Sequence, residues 1–599
     1  MKERKNSAPP PPGPMMSMDK SKNMKLAYSN FLKYLGKFKW LVSISIVLSL
    51  IGAIFNLVGP GMLSDVTDLI TQGLGGEINI AEITKMCVLL AALYGSAYVF
   101  SYAQGFIMAT VAGRITQNMR RDISAKMERL PLKFFDTTST GDILSRITND
   151  IDTVGNMMNM SLSTLASSLA LLAGSVSLML LTNATLAVSG IATSLIGLVF
   201  VFLIIKKSQK HFVNQQKELG GLNGYIEEIY SGHTIVKVFN GEETARREFH
   251  ERNEKLFNHA WKAQFMSGLM MPVMTFIGNL AYVVVCVIGA VLAVRGSITF
   301  GTIVAFMLYI RLFGQPLQNI SQVAASIQSL AAACERVFEF LDEEEMENEI
   351  ESSMETTNGE IIFQNVKFGY NEEKEIIKNL SAHVKPTQKI AIVGPTGAGK
   401  TTIVNLLMRF YEIDSGKISV DGVDIRNISR KNVHNLFGMV LQDTWLFEGT
   451  IRENILYNNN VSDEKLEEIC NATGLLEMIK QMPNGYETVL NEFTSLSVGQ
   501  KQLITIARVM AHDAPLLILD EATSSVDTRT ELKVQAAMDK LMEGRTSFVI
   551  AHRLSTIKNA DLILVMKDGD VIESGNHEEL LASGGFYTDL YNSQFETGE

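Results

Sequence analysis

The fold of the C-terminal half is decided by the stretch Gly394-Pro-Thr-Gly-Ala-Gly-Lys-Thr-Thr402. An apolar run, Ile390–Val393, comes before it and a helix-like segment, Ile403–Met408, follows. The stretch fits the phosphate-binding loop pattern G-x-x-x-x-G-K-[ST], and a strand before with a helix after is the context that confirms such a match. The residues expected to hold the phosphates are Gly394, Pro395, Thr396, Gly397, Ala398, Gly399, Lys400, Thr401 and Thr402.

The chemistry explains the residue types. Backbone N–H groups must converge on phosphate oxygens at a helix N-terminus, and glycines allow that approach because they have no Cβ. Lys400 is expected to contact the β- and γ-phosphates, and Thr401 to ligate Mg²⁺. The alternative, a glycine-rich turn with a surface lysine, does not account for the flanking strand and helix.

Composition excludes several classes of protein. The chain has 599 residues, of which 46% are hydrophobic, and its net charge of −11 argues against nucleic acid as a partner. The acidic residues concentrate after about Glu335. Four scattered cysteines match no metal-ligand spacing and predict no disulfide framework; they are Cys87, Cys286, Cys334 and Cys470.

Six apolar runs in the first half are long enough to cross a bilayer at about 20 residues each. The first five contain no Asp, Glu, Lys or Arg, which argues against buried helices of a soluble protein. The runs are Trp40–Val58, Cys87–Val111, Met160–Leu181, Leu186–Ile205, Met266–Val294 and Thr302–Ile327. The fold class predicted is therefore a six-helix membrane domain followed by an α/β P-loop ATPase domain.

Basic residues in the connections predict the orientation. The first long loop carries seven Lys or Arg and the second carries ten, whereas the connections on the other side hold only Lys85 and Arg295. Both termini are expected to be cytoplasmic. Residues 1–24, with Pro9–Pro12, predict a disordered cytoplasmic tail.

The two long basic loops have helical periodicity, so the spans are expected to continue as helices well beyond the membrane. Short interruptions, Pro131–Thr137 and Ser231–Thr234, are expected at the tips. A solvated charged loop is the alternative. The predicted domains are 25–335 for the membrane domain with these two loops, 336–358 for a charged linker and 359–599 for the nucleotide-binding domain.

One charged residue, Arg311, lies inside a predicted span. A charge in hydrocarbon costs a few kcal/mol at least, so Arg311 should face an internal cavity or a partner. Snorkelling to an interface or a structural ion pair is an equally good interpretation.

Two further motifs complete the second domain. The apolar strand Leu516–Leu519 ends in Asp520 and Glu521; Asp520 is assigned to Mg²⁺ and Glu521 to the general base that polarises water. Ser497, Gly499 and Gln500, in Leu496–Gln500, form a second anion-binding helix start. A second binder of γ-phosphate suggests that ATP lies between two such domains.

Together these motifs resemble the ATP-binding cassette (ABC) superfamily over nearly the whole chain, in the type IV exporter form. Leu496–Gln500 resembles its signature and Ser524–Asp527 its D-loop. By the same resemblance, Gln442 is the Q-loop glutamine and a water-linked Mg²⁺ ligand, beside Thr401 and Asp520. His552 is the switch histidine, and Tyr370 stacks on adenine.

The resemblance implies a dimer with two ATP sites, each between the phosphate loop of one chain and the signature of the other. Helices near Phe134–Thr138 and Ser231–Thr234 would couple ATP binding to the spans. Val498 departs from the family, which has Gly there, and the preceding Asn491–Ser495 lacks the usual glycines. Val498 would crowd a phosphate-facing turn, whereas the phosphate loop, Glu521 and His552 look intact.

This asymmetry resembles one subunit of bacterial heterodimeric multidrug exporters, although a homodimer that tolerates Val498 stays open. We expect ATP-driven export of hydrophobic or amphipathic compounds, such as drugs or lipids, from a bacterial plasma membrane by alternating access. The rivals are a homodimeric lipid flippase, a peptide exporter and a protein that binds ATP without turnover. The six spans exclude a soluble ABC protein.

Overall fold

The computed structural model describes residues 24–73, 78–346, 354, 356–371, 374–442, 444–491, 496–520, 528–551 and 554–593. These residues fall into two compact units. The first unit contains the described residues up to Leu130 together with Thr138–Glu344. The second contains the short segment Pro131–Thr137 and the described residues after Glu344.

The described residues before the linker are almost entirely helical. A single π-helical turn, Arg146–Asp150, joins α5 to α6. The helices are α1 (Met24–Gly36), α2 (Lys39–Gly73), α3 (Ile80–Met127), α4 (Leu132–Thr137), α5 (Thr140–Ser145), α6 (Ile151–Thr182), α7 (Ala184–Ser231), α8 (His233–Val238), α9 (Glu242–Gly268), α10 (Met270–Val294) and α11 (Phe300–Leu341).

Among the described residues, six helical stretches are long and apolar enough to cross a membrane, which confirms the six predicted spans. They are Lys39–Gly73, Ile80–Met127, Thr140–Thr182, Ala184–Ser231, Glu242–Val294 and Phe300–Ile320. Polar side chains start several of the helices, because they satisfy backbone N–H groups that have no partner within the helix. Asn79, Asn183 and Thr299 accept such bonds at the starts of α3, α7 and α11.

The helices also continue far beyond the apolar runs, as predicted. α3 and α7 have 48 residues each, which at 1.5 Å per residue is about 70 Å, against a hydrocarbon core of about 30 Å. At the two predicted interruptions the structure has the short helices α4 and α8.

The predicted linker, 336–358, begins too early. α11 continues to Leu341, and Asp342 caps it. The physical reason is that Val337, Phe338 and Phe340 are buried, so the apolar helical pattern of the last span continues into the acidic stretch.

The second unit is built on strands. They are β1 (Ile361–Phe368), β2 (Ile377–Val384), β3 (Lys389–Val393), β4 (Ser415–Val420), β5 (Val423–Asp424), β6 (Phe437–Val440), β7 (Gly449–Thr450), β8 (Val489–Leu490), β9 (Leu516–Asp520), β10 (Thr546–Ile550), β11 (Leu562–Lys567) and β12 (Asp570–Gly575). The register of β1 shifts between Phe363 and Val366.

Helices cover the strands of this unit. They are α12 (Lys400–Leu407), α13 (Arg430–Leu436), α14 (Ile451–Leu456), α15 (Asp463–Ala472), α16 (Leu476–Gln481), α17 (Val498–His512), α18 (Thr528–Met542), α19 (Leu554–Lys558), α20 (His577–Ser583) and α21 (Phe586–Tyr591).

The central sheet has the strand order β12-β11-β3-β10-β9-β6. β11, β3, β10, β9 and β6 run parallel, and β12 is antiparallel to β11. Parallel strands covered by helices on both faces are apolar along their whole length, as in Leu516–Leu519, where each side chain is buried. A four-stranded sheet, β2-β1-β4-β5, is separate from it.

Candidate active site

The carboxyl ends of adjacent parallel strands bring the predicted catalytic segments to one edge of the sheet. Ile392 of β3 pairs with Ile550 of β10, and Ile550 pairs with Asp520 of β9. β6 pairs with β9 on the other side and ends at Val440, two residues before Gln442. Because ligands of open parallel sheets bind beyond the carboxyl ends of the strands, this edge is the candidate active site.

The phosphate loop leaves β3 with three glycines at positive φ: Gly394 at 155°, Gly397 at 84° and Gly399 at 101°. A Cβ at Gly394 would lie 2.3 Å from the carbonyl oxygen of Met566, whereas a Cβ at Gly397 would meet no described atom within 4 Å. The first glycine therefore serves packing against β11. The second keeps an open backbone that a phosphate can approach.

Lys400 begins α12 and folds back over the loop. Its Nζ donates to the carbonyl oxygens of Gly394, at 2.7 Å, and Pro395, at 3.1 Å. Burial lowers the pKa of Lys400, and the negative charge of Asp520 opposes that shift. The ammonium group is thus held over the loop, where its charge interacts with that of Asp520, the predicted Mg²⁺ ligand.

The two threonines after Lys400 point in different directions. Thr401 is exposed and Thr402 is buried at 5% exposure. Thr401 is therefore accessible to a bound metal ion. Thr402 instead lies 3.4 Å, Oγ1 to hydroxyl, from Tyr370, which gives it a packing role that the sequence did not distinguish.

The aromatic predicted to stack on adenine, Tyr370, belongs to a small aromatic cluster. Its ring meets Phe368 and Tyr411 edge-on, with centroids 5.0 and 4.9 Å away, and Asn405 of α12 donates to its hydroxyl at 3.1 Å. The hydroxyl of Tyr411 in turn donates to Asp136 of α4. Tyr411 and Asp136 are distant in sequence, and no pattern in the sequence pointed to this bond.

The signature segment forms a helix start, as predicted. Ser497 caps α17: its Oγ accepts from the N–H of Gln500 at 3.2 Å, and Gln500 Oε1 accepts from the N–H of Ser497 at 2.8 Å. Gly499 is buried. Val498 is the first helical residue and is 53% exposed, so it stands at the surface in the first turn of the helix.

Arg508 is a residue that sequence reasoning missed. It lies on α17 and donates to the carbonyl oxygens of Asn454, at 2.8 Å, and Trp445, at 3.3 Å. Its guanidinium also lies over the rings of Phe447 and Tyr457. Arg508 thereby ties the signature helix to the segment after Gln442. An arginine in a mostly apolar helix, eight residues after Gln500, was the available signal.

The comparisons with known proteins agree with this geometry. Residues 42–317 match the family described as ABC transporter transmembrane region, and residues 377–524 match the family described as ABC transporter. The chain belongs to the ABC transporter family. It is an exporter half-transporter of the type IV fold, with six candidate spans and a C-terminal ATPase domain.

Its relatives cover most of its length. A fatty acid ABC transporter ATP-binding/permease protein of Mycobacterium bovis is 44% identical, over 86% of this chain and 82% of its own. A probable multidrug resistance ABC transporter of Bacillus subtilis is 36% identical, over 85% and 77%. The solved structure of a bacterial Atm1-family ABC exporter with ATP bound has a TM-score of 0.73 at 27% identity, covering 93% and 98%.

This exporter subunit is therefore a multi-pass membrane protein that binds and hydrolyses ATP, and it works with a partner subunit. The Mg²⁺ that accompanies ATP would be held by the hydroxyl of Thr401 and the carboxylate of Asp520, both hard oxygen ligands. Within the described residues there is no group of three His, Cys, Asp or Glu that could hold a metal. Mg²⁺ would take its remaining ligands from phosphates and water.

Two predicted catalytic residues, Glu521 and His552, lie outside the described residues, as do Ser524–Asp527 and residues 492–495. Glu521 follows directly on β9, and His552 follows β10 after Ala551. Gln442 is described and exposed.

Proposed function

We propose that this subunit exports hydrophobic or amphipathic compounds across a bacterial plasma membrane as one half of a heterodimer. ATP binding would close two cassettes and open the cavity outward, and hydrolysis would reset it. Only a difference in ATP affinity between the two states can drive such a switch. Both termini would be cytoplasmic, in line with the basic long loops.

The observation that carries the heterodimer is Val498 at the start of α17. This position is helical and its φ is not positive, so glycine is not needed there for its backbone freedom. A valine side chain that is 53% exposed instead occupies space beside the N–H groups that would meet a phosphate of the partner's ATP. The signature that this chain donates is thereby weakened, while its phosphate loop keeps its glycines and Lys400.

In the competent site, this chain would supply the phosphate loop and the catalytic residues. Lys400 would neutralise the phosphates, Asp520 would hold Mg²⁺, and Glu521 would act as general base on the attacking water. His552 and Gln442 are proposed as the switch histidine and the Q-loop residue that senses the metal. Tyr370 would contact adenine, and the partner's intact signature would complete the site.

The relatives and the apolar spans support the proposed substrate class. The printed names of two relatives refer to fatty acids and to multidrug resistance, and fatty acids are amphipathic. A homodimeric lipid flippase has the same mechanism and differs only in its assembly. No separate observation favours a peptide exporter.

The test is the ATPase activity and oligomeric mass of this chain in lipid nanodiscs, alone and co-expressed with the product of the neighbouring gene. We expect an inactive or unassembled chain alone and an active complex with its neighbour. An active dimer of this chain alone would refute the heterodimer and would place the protein among the homodimeric exporters.

A substitution series at Val498 tests the weakened signature itself. ATPase activity of the complex should increase from Val498→Leu through wild type and Val498→Ala to Val498→Gly, because each step leaves more room for a phosphate. Recovery of one hydrogen bond to a charged phosphate would raise the rate about tenfold. A rate independent of side-chain size would leave the asymmetry without support.

A further inference from the structure

The last membrane span exposes one polar stripe. From Gly301 to Leu330, four of the residues whose side chains the structure describes are exposed, and they are Arg311, Gln315, Gln318 and Gln322. Steps of four, three and four residues place them on one face of α11. Arg311 lies at the centre of the candidate span Phe300–Ile320.

Other spans expose a different chemistry. Val199 and Phe202 on α7 are exposed, as are Phe276 and Val287 on α10. Such apolar faces suit contact with lipid chains. The exposed face of α11 does not, because a guanidinium at mid-membrane depth requires a water-filled cavity or a polar partner.

Packing on the opposite side fixes the rotation of α11. Phe306, Tyr309, Ile310 and Phe313 are buried at 5% exposure or less, on a helix that packs against α2 and α6. If α11 were rotated about its axis so that Arg311 became buried, these side chains would become exposed instead. The polar stripe is therefore a fixed feature of this subunit.

Hydrogen bonds hold the stripe in place at Gln315. Asn319 Nδ2 donates to Ser168 Oγ of α6 at 3.4 Å, and Gln315 Nε2 donates to Asn319 Oδ1 at 3.5 Å. The amide of Gln315 is thus aligned one turn from Arg311. Its carboxamide and those of Gln318 and Gln322 add neutral donors and acceptors next to one positive charge.

The charge of Arg311 is not balanced within the described part of the subunit, where it has no ion pair or hydrogen bond. Of the acidic residues on α2, Asp68 accepts from the N–H of Gly301 at 2.7 Å. Gly301 is ten residues from Arg311, about 15 Å along the helix. A balancing negative charge would therefore come from the partner subunit or from a molecule bound at this face.

We propose that Arg311, Gln315, Gln318 and Gln322 form a headgroup site for long-chain carboxylates, so that the exported amphiphile is a monoanion. This proposal rests on the export function proposed above. A guanidinium binds a carboxylate through two parallel hydrogen bonds. One guanidinium flanked by neutral amides balances one negative charge, which favours a carboxylate over a doubly charged phosphate.

The test compares compounds with the same chain and different headgroups. The wild-type complex in nanodiscs is titrated with palmitate, methyl palmitate, hexadecylamine and hexadecyl phosphate while its ATPase activity is measured. Palmitate should give half-maximal stimulation at a concentration about tenfold or more below that of methyl palmitate, the effect of one charged hydrogen bond.

Substitutions then locate the preference. Arg311→Gln should bring the ratio between methyl palmitate and palmitate to about one, and Arg311→Lys should keep part of it because the charge remains. Arg295→Gln is the matched control, since it removes an exposed arginine at the end of α10 and should leave the ratio unchanged.

Each other result overturns the proposal. A wild-type ratio of about one refutes it whatever the variants do, and so does a preference that persists in Arg311→Gln. A stronger response to hexadecyl phosphate refutes the carboxylate assignment. ATP hydrolysis without a response to any compound refutes this site and leaves the export function standing, whereas a complex without ATPase activity refutes the export function itself.

Discussion

Alanine at two glycines of the phosphate loop should separate folding from nucleotide binding. Gly394 and Gly397 both have positive φ, so either substitution strains the backbone by about 1–2 kcal/mol. They differ in their neighbours. A Cβ at Gly394 would lie 2.3 Å from the Met566 carbonyl oxygen, and a Cβ at Gly397 would meet no described atom within 4 Å.

The expected sizes follow from that difference. Overpacking typically adds about 1–3 kcal/mol, so Gly394→Ala should destabilise the ATPase domain by about 3 kcal/mol. Gly397→Ala should cost about 1 kcal/mol. For a domain of this size the melting temperature falls by about 2–4 °C per kcal/mol, which gives about 6–12 °C for Gly394→Ala and about 2–4 °C for Gly397→Ala.

Thermal unfolding of the nucleotide-free protein in nanodiscs, followed by intrinsic fluorescence, measures the loss of stability. Titration with a fluorescent ATP analogue measures the loss of nucleotide affinity. Gly397→Ala should lose nucleotide affinity although its melting temperature stays near that of the wild type, because its new methyl group stands where the backbone would meet phosphate. Equal melting temperatures for the two variants would refute the division between a packing glycine and a binding glycine.

Three further predictions concern single residues. Glu521→Gln should keep ATP binding but lower turnover about 100-fold or more, since it removes a general base; hydrolysis at the wild-type rate would contradict the assignment. Tyr411→Phe should lower the melting temperature and expose α4 to protease, because it removes the hydrogen bond to Asp136, whereas Asp136→Asn keeps an acceptor and should do less; equal protease sensitivity in all three proteins would count against this. Burial lowers the pKa of His577, and the nearby charge of Lys558 acts in the same direction. The unfolded chain therefore binds the proton more readily, and stability should fall as pH drops below about 6.5. His577→Gln should weaken the dependence of the melting temperature on pH between about pH 7.5 and 5.5, and an unchanged pH dependence would show that His577 is not its source.

Local sequence patterns predicted many structural features of this protein, because each of those features depends on residues that are neighbours in the sequence. A run of about 20 apolar residues can satisfy its backbone in a bilayer only as a helix, so the six spans were evident. The phosphate loop was evident as well, since its glycines and Lys400 act within a single turn. The start of α17 at Val498 was indicated by the neighbouring Ser497, Gly499 and Gln500.

Other features depended on residues far apart in the chain. The end of α11 at Leu341 lies inside an acidic stretch, and only the burial of Val337 and Phe338 shows why the helix continues. Likewise, the sequence contains Arg508 but does not indicate that it reaches the carbonyl oxygens of Trp445 and Asn454.

The sequence by itself determined the architecture and the reaction class, because each of the features that indicate them is formed by contiguous residues. These features are the apolar runs, the glycines and lysine of the phosphate loop, and the carboxylates at the end of β9. Tertiary structure alone decided which faces are buried. It turned Thr402 inward and left Thr401 exposed, and it separated the packing role of Gly394 from the open backbone at Gly397. It also set the polar stripe of Arg311 opposite a buried apolar face, because the rotation of a helix is fixed by the helices against which it packs.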